Sequence, residues 1–464
     1  MSQENMQWTR LLSSARWTGG PASARARGAG TPPTAGDSRN PFERDYGRVL
    51  YSSAFRRLQD KTQVFPLGRN DYVRTRLTHS LEVSYVGRSL GEALGDRLAG
   101  AEEFAGTPAA GSLGARVGAA VASACLAHDV GNPPFGHAGE KAIEEAFKRR
   151  GRAVRFEGNA QGLRLLTKIG GDSIDGHGLQ PTAGTLGAFM KYPCTESFWL
   201  AAKNREIVPA NRLECKKFSV ADTEADVARF VRDACGLIPR GDAGTRLAFA
   251  RHPLAFLVEA ADDLCYLVAD MEDSFNAKIV SYDDARHFLS AFWKHEDAAR
   301  RERVETRLRE MEARRDLHGA VNFMRATAIG GGIRAATEAF DANEGAILAG
   351  TFEKSLFEAS RLSEEMAALR AFSLAEIYRA RVVGSVELMG FQVMQALADF
   401  FLDWAENPGS AKGEKIASVF RFRDETGTPE GRVREAVDYI SGMTDSFALA
   451  TYRRLCGISD GGNF

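Results

Sequence analysis

An apolar helix that runs into a histidine-aspartate pair and is then halted constrains this chain more than any other stretch. Val117, Val121, Ala124 or Cys125 and then His128 fall on one stripe, with Asp129 directly after it. Gly131-Asn132-Pro133-Pro134 follows. Proline lacks a backbone donor and restricts the residue before it, so the helix ends there. A second imidazole, His137, and a carboxylate, Glu140, come shortly downstream. Two readings are open at this point. The pair is half of a metal site, or it is a surface His-Asp whose imidazolium suits the negative end of a helix.

Two further helices bear on that choice. After His79, the residues Val83, Val86, Leu90 and Leu94 recur at helical spacing, so His79 faces the core. A lone imidazole there is ordinarily a hydrogen-bonded core residue. The stretch from Leu254 to Asp273 carries Asp262, Tyr266 and Asp270 at i, i+4 and i+8, beside an apolar face of Leu257, Ala261, Leu264 and Val268. Carboxylates in such a segment are rare unless paired or metal-bound, the alternative being a partly wet helix.

Strand signals are scarce, with few alternating Val/Ile/Thr runs and few hairpin dipeptides, so the fold is expected to be mostly α with few or no strands. Residues 1–38 read as a mobile arm: one short helix over Met6 to Leu12, then Gly, Ala, Pro, Ser and Arg with almost no large apolar side chains. Residues 100–115 read as a Gly/Ala-rich loop, and 169–185 as a polar excursion. The 297–316 stretch is a solvated, ion-paired helix; Asn322 to Trp404 is again helical, and Val437 to Leu455 is the last helix. The 464 residues carry a net charge of −1, so no global field attracts nucleic acid or membrane, and any anion site must be a local cluster. Local clusters exist at Arg56-Arg57, Lys191-Tyr192-Pro193 and Lys216-Lys217-Phe218. Six cysteines without a CxxC pair suggest reduced thiols; with no long apolar span and no secretory leader, a cytoplasmic protein is expected.

His79, His128, Asp129 and Asp262, drawn from three apolar helices, make a set of two imidazoles and two carboxylates. Without a thiolate, that set suits Mn²⁺ or Mg²⁺, with Co, Ni, Fe or Zn also accommodated. Such an ion polarises a phosphoryl group and activates water, leaving His137 and Glu140 for proton transfer. The arginines before His79 and the lysine clusters supply charge for a polyphosphate.

With these residues assembled, the chain resembles the HD-domain metal-dependent phosphohydrolases, and within them the deoxyguanosine triphosphate triphosphohydrolase (dGTPase) type. The matching segments are PFERDYGRVLYSSAFRRLQDKTQVFPL (41–67), RTRLTHSLEV (74–83), AHDVGNPPFGHAGE (127–140), FEGNAQ (156–161), RHPLAFLVEAADDLCYLVADMED (251–273) and DYISGMTD (438–445). The resemblance implies an HD-type helical catalytic domain over 39–300 and a C-terminal helical region over 301–464 that packs on it and completes the nucleotide site. It implies His79, His128, Asp129 and Asp262 as metal ligands and His137 with Glu140 as the catalytic pair. Gln63 would read the sugar 3′-hydroxyl, Arg76 would contact phosphate, and Lys191 with Tyr192 would form the phosphate-side wall. Tyr266 and Asp270 would lie beside the deoxyribose, where an aromatic leaves little room for a 2′-hydroxyl. The implied reaction is attack of metal-activated water at the α-phosphorus of a deoxynucleoside triphosphate, dGTP first among them, giving deoxynucleoside and triphosphate. The family also implies a homo-oligomer, hexamer or tetramer, and in some members a response to single-stranded DNA or a regulatory dNTP; no membrane partner is implied. The match is loose at His177-Gly178-Leu179-Gln180-Pro181-Thr182, and the preferred base is not readable from the motifs.

Two other readings stay open. An HD enzyme acting on a different phosphoester would keep the metal set but has less reason to keep FRRLQDKTQVFPL or DYISGMTD. A non-catalytic HD scaffold that binds nucleotide or single-stranded DNA would be expected to lose one of the six central residues, and all six are present.

Overall fold

Two antiparallel helices, Arg76–Leu98 and Leu113–Ala127, form the centre of the computed structural model, which describes residues 5–19, 37–65, 73–105, 110–152, 155–169, 178–209 and 211–458. Thr75 starts the first through a capping box: its hydroxyl accepts from the Thr78 amide while the Thr78 side chain accepts from the Thr75 amide. The second buries every residue except Ala115 and Arg116. Gly87, Gly91 and Gly95 recur every four residues on the facing side. A Cβ at Gly91 would stand 2.9 Å from the Gly118 Cα, and one at Gly95 would stand 2.5 Å from the Leu113 carbonyl oxygen. Small residues therefore let the two backbones meet, and that approach brings His79, at the start of one helix, beside His128, at the end of the other. Gly91→Val should push the pair apart and destabilise the protein by roughly 1–3 kcal/mol, the usual cost of overpacking a dense core. Urea unfolding reads this directly, and an unchanged midpoint would mean that the interface has slack.

The Pro253–Asn276 helix lies across this pair. His252 caps it, its Nδ1 accepting from the Leu254 amide while Nε2 lies 3.1 Å from the Leu11 carbonyl oxygen. Burial depresses that imidazole to about 4, so it is neutral and both ring nitrogens are used. The Leu317–Leu348 helix packs on the same layer. Among the described residues the sheet content is one antiparallel pair, Pro239–Ala243 with Arg246–Phe249, so the fold is mostly α as expected. No described helix is long and apolar enough to cross a membrane.

Apolar packing separates into two principal cores. The first runs from Met6 and Trp8 through both central helices and Pro253–Asn276 to Ile377 and Val383. The second joins Phe135, Ile143 and Phe147 to Leu397 and Phe401 of the Arg381–Glu406 helix and to Val437 and Ile440 of the Pro429–Ser441 helix. The Gly136–Arg149 helix, which carries His137 and Glu140, thus belongs to a different core from His79, His128 and Asp262.

Three local expectations are corrected. The described part of the arm, residues 5–19, is packed: Trp8 and Trp17 are buried, Trp17 lies 5.7 Å from the Phe230 ring, and Arg16 pairs with the fully buried Asp45 at 2.6 Å. Two indoles and one arginine anchor a stretch whose average composition reads as loose; residues 20–36 fall outside the described residues. The last helix is two helices, Pro429–Ser441 and Asp445–Leu455, because Gly442-Met443-Thr444 breaks the run and Thr444 caps the second. Between Asn322 and Trp404 the chain leaves the helix after Leu348, re-enters at Ser363–Phe372, and begins the Arg381–Glu406 helix afterwards. Of the 169–185 excursion, residues 170–177 lie outside the described residues, and the Ala183–Phe189 helix follows.

Candidate functional site

His128 immediately follows the Leu113–Ala127 helix, and its Nδ1 lies 2.7 Å from the Cys125 carbonyl oxygen. A carbonyl can only accept, so Nδ1 carries the proton and Nε2 presents its lone pair. That Nε2 stands 3.5 Å from Asp129 Oδ1 and 3.5 Å from Asp262 Oδ1. His79 Nε2 is 3.3 Å from the same Asp262 oxygen, and the two imidazole centroids are 5.3 Å apart. Donor atoms of His79, His128 and Asp129 all lie within 4.8 Å of one another. Asp262 is not in that compact group, although its Oδ1 reaches both imidazoles. Two imidazoles and Asp129, with Asp262 beside them and one tautomer fixed by a backbone carbonyl, fit a divalent cation of borderline to hard character.

Basic side chains brace the two acids from outside. Asp129 Oδ2 accepts from Arg76 Nη1 at 2.8 Å, and its Oδ1 accepts from Asn132 Nδ2. Burial opposes the charge on Asp129, but Arg76, His128 and His79 outweigh it and hold the carboxyl at about 2. Lys191 Nζ lies 2.7 Å from Asp262 Oδ2. Against the same opposition from burial, Lys191 and the imidazoles keep Asp262 well below the carboxylate range. Lys191 is itself oriented from behind, since the buried Arg251 donates Nε to its carbonyl oxygen at 2.8 Å and Nη1 to Glu259 at 2.6 Å. Tyr192 is buried, with the Arg251 guanidinium 5.8 Å from its ring centre.

His137 and Glu140 sit in the first two turns of Gly136–Arg149. His137 Nδ1 is 2.9 Å from Glu140 Oε2, and Glu140 Oε1 accepts from the Gly158 amide at 3.0 Å. Burial works against the Glu140 charge, but the His137 hydrogen bond and the nearby Lys217 carry its pKa below the ordinary value. The imidazole itself is exposed, its side chain 73% accessible while that of Glu140 is 13% accessible. A fixed Nδ1 and an open Nε2 suit proton transfer with a substrate.

One and two turns beyond Asp262, Tyr266 and Asp270 continue along the same helix face. The Tyr266 ring stacks on Tyr378 with centroids 5.4 Å apart and planes 21° apart, and the Tyr378 hydroxyl donates to Asp270 Oδ2 at 2.6 Å. Burial drives the Asp270 carboxyl up, to about 7, although the Tyr378 bond works the other way. Gln63 is half-buried, with a buried Oε1 that has no partner among the described residues. No hydrogen bond among the described residues joins it to Tyr266 or Asp270.

Several residues at this site escaped the sequence reading. Asn132 has a local signal, since it stands three residues after Asp129 in the same turn. Tyr378 has none: it reaches Asp270 across 108 positions of chain. Lys61 is almost fully buried and donates Nζ to the Asn132 carbonyl oxygen at 2.5 Å and to that of Ser441 at 2.8 Å.

Comparison with known proteins bears on the same residues. The HD domain pattern matches residues 76–173, and the pattern described as a phosphohydrolase-associated domain matches residues 358–454. A deoxyguanosinetriphosphate triphosphohydrolase-like protein of Synechocystis sp. is 37% identical over 442 residues, covering 91% of this chain and 94% of the relative. One of Pseudomonas aeruginosa is 32% identical over 444 residues, with 91% and 94% covered. A deoxyguanosinetriphosphate triphosphohydrolase of Salmonella arizonae is 30% identical over 500 residues, with 90% and 94% covered.

Proposed function

The chain belongs to the deoxyguanosinetriphosphate triphosphohydrolase-like family of HD-domain phosphohydrolases, and from that membership we propose that it hydrolyses a deoxynucleoside triphosphate, dGTP first, to deoxynucleoside and inorganic triphosphate. His79, His128, Asp129 and Asp262 would hold a divalent cation, Mn²⁺ or Mg²⁺ ahead of Co, Ni, Fe or Zn. When bound, such an ion polarises a phosphoryl oxygen and lowers the pKa of water.

The observation that carries this reading is the placement of Asp262, Tyr266 and Asp270 on one helix face, with Asp262 turned to both imidazoles. One helical turn rises about 5.4 Å, close to the span from a sugar ring to its α-phosphorus. A deoxyribose lying against Tyr266 therefore sets the α-phosphate, rather than the γ-phosphate, beside His79 and His128. Tyr378 stiffens that wall from behind by stacking on Tyr266 and bonding Asp270. The buried Oε1 of Gln63, unpartnered among the described residues, is an acceptor suited to a sugar hydroxyl. Arg76 and Lys191 each bind one acid and have further N–H groups for the phosphates. His137, with Nδ1 held by Glu140, exchanges a proton through Nε2 as the bond from the α-phosphorus to the 5′-oxygen breaks.

Product analysis in labelled water tests the reading. One triphosphate should form per deoxynucleoside, with the water oxygen on the triphosphate, and GTP should turn over much more slowly than dGTP. Orthophosphate released stepwise, or a deoxynucleoside monophosphate with pyrophosphate, would rule out attack at the α-phosphorus. Equal rates on GTP would remove the argument from Tyr266.

A further inference from the structure

We infer that Asp445 is a positioning residue for the His137–Glu140 pair, acting through the backbone of Phe135; the inference rests on the function proposed above. Asp445 closes the DYISGMTD segment, whose purpose the reaction leaves unexplained. Its carboxylate is buried and divided between two distant segments. Oδ1 accepts from the Phe135 amide at 2.9 Å, while Oδ2 accepts from the Thr62 amide at 2.9 Å and from the Thr62 hydroxyl at 2.7 Å.

Phe135 needs such support. Its φ is 58°, left-handed and uncommon for a phenylalanine, and Gly136 follows at φ 54°. These two residues reverse the chain after Pro133-Pro134 and start the helix on which His137 is the second residue. Nothing local caps that helix: Phe135 occupies the cap position without a side-chain hydrogen bond. Asp445 holds its amide from one side, and Gly390 lies against its side chain from the other, where a Cβ would come within 2.5 Å of Phe135 Cβ and Cγ.

The two cores give this contact its significance. Metal-facing residues are anchored in the first core and the His137 helix in the second, so the distance between them depends on what crosses the seam. Asp445 crosses it by joining Thr62, next to Gln63, to Phe135. Lys61 crosses it beside Asp445, joining Asn132 to Ser441. The C-terminal segment thereby holds the turn that aims His137 in register with the metal-facing acids.

Asp445→Asn is the test, because the amide can accept through only one of its two atoms and leaves either Phe135 or Thr62 without an acceptor. Metal content should persist, while kcat on dGTP falls roughly tenfold to hundredfold, the scale of a misplacement near 1 Å. In a His137→Ala background the further loss should be clearly smaller, what remains being the part that runs through Thr62 and the neighbouring Gln63. Deuterium exchange should rise over residues 61–65 and 131–140 while Leu113–Ala127 stays protected. Gly390→Ala, which crowds Phe135 from the opposite side, should reproduce the loss and supplies the test if Asp445→Asn does not fold. An equal fall in the His137→Ala background, or unchanged exchange over 131–140, would overturn the inference. A wild-type protein inactive on every dNTP would sink the proposed function instead, and the exchange measurement would then decide the clamp by itself.

Discussion

Asp129→Ala should abolish hydrolysis and greatly lower bound metal while the helical fold persists. Asp129 is held on both carboxylate oxygens by residues outside the candidate ligand set, Arg76 and Asn132, so its position is fixed before any ion arrives. No neighbouring carboxylate can replace it, because Asp262 already faces the imidazoles from another helix and is engaged by Lys191. Truncation also leaves the buried Arg76 guanidinium without its charge partner, which costs about 3–5 kcal/mol in typical buried pairs. Asp129→Asn is the milder companion, keeping the shape while removing the charge. Elemental analysis, circular dichroism and a dGTP assay on both variants separate loss of metal from loss of fold. Full activity with metal retained in Asp129→Ala would refute its assignment as a ligand.

His137→Ala should lower turnover by roughly 10²–10⁴-fold, the range for a general acid–base group, while metal and nucleotide binding survive. The imidazole is exposed and makes its described hydrogen bond to Glu140, so removing it disturbs little packing. Glu140 retains its bond from the Gly158 amide and stays in place. Glu140→Gln should have a smaller effect of the same kind, since a neutral amide still orients the ring but no longer stabilises an imidazolium. If metal content fell together with turnover in His137→Ala, His137 would have to be counted among the ligands.

The mostly helical fold was legible because helical periodicity is local. The apolar stripes after His79 and before His128, and the spacing of Asp262, Tyr266 and Asp270, each predict a face that the structure then buries or turns inward. Stops were less legible. Pro133-Pro134 announces one plainly, whereas the break at Gly442-Met443-Thr444 follows from cap chemistry inside an otherwise helical pattern. The packed arm was hidden because two tryptophans are diluted among small residues, and what matters is the pockets they reach.

Residue type and spacing by themselves therefore marked which side chains are candidate metal ligands and which helix faces carry them. Periodicity is a property of a few consecutive turns, so neither needs a partner to be read. Tertiary structure alone decided their mutual geometry. Close contact at Gly91 and Gly118 brings two helices near enough for the His79 and His128 rings to stand 5.3 Å apart. Tyr378 meets Asp270, and Asp445 meets Phe135, across separations of 108 and 310 residues. Such contacts arise from how whole helices pack, and no local pattern in the chain encodes that.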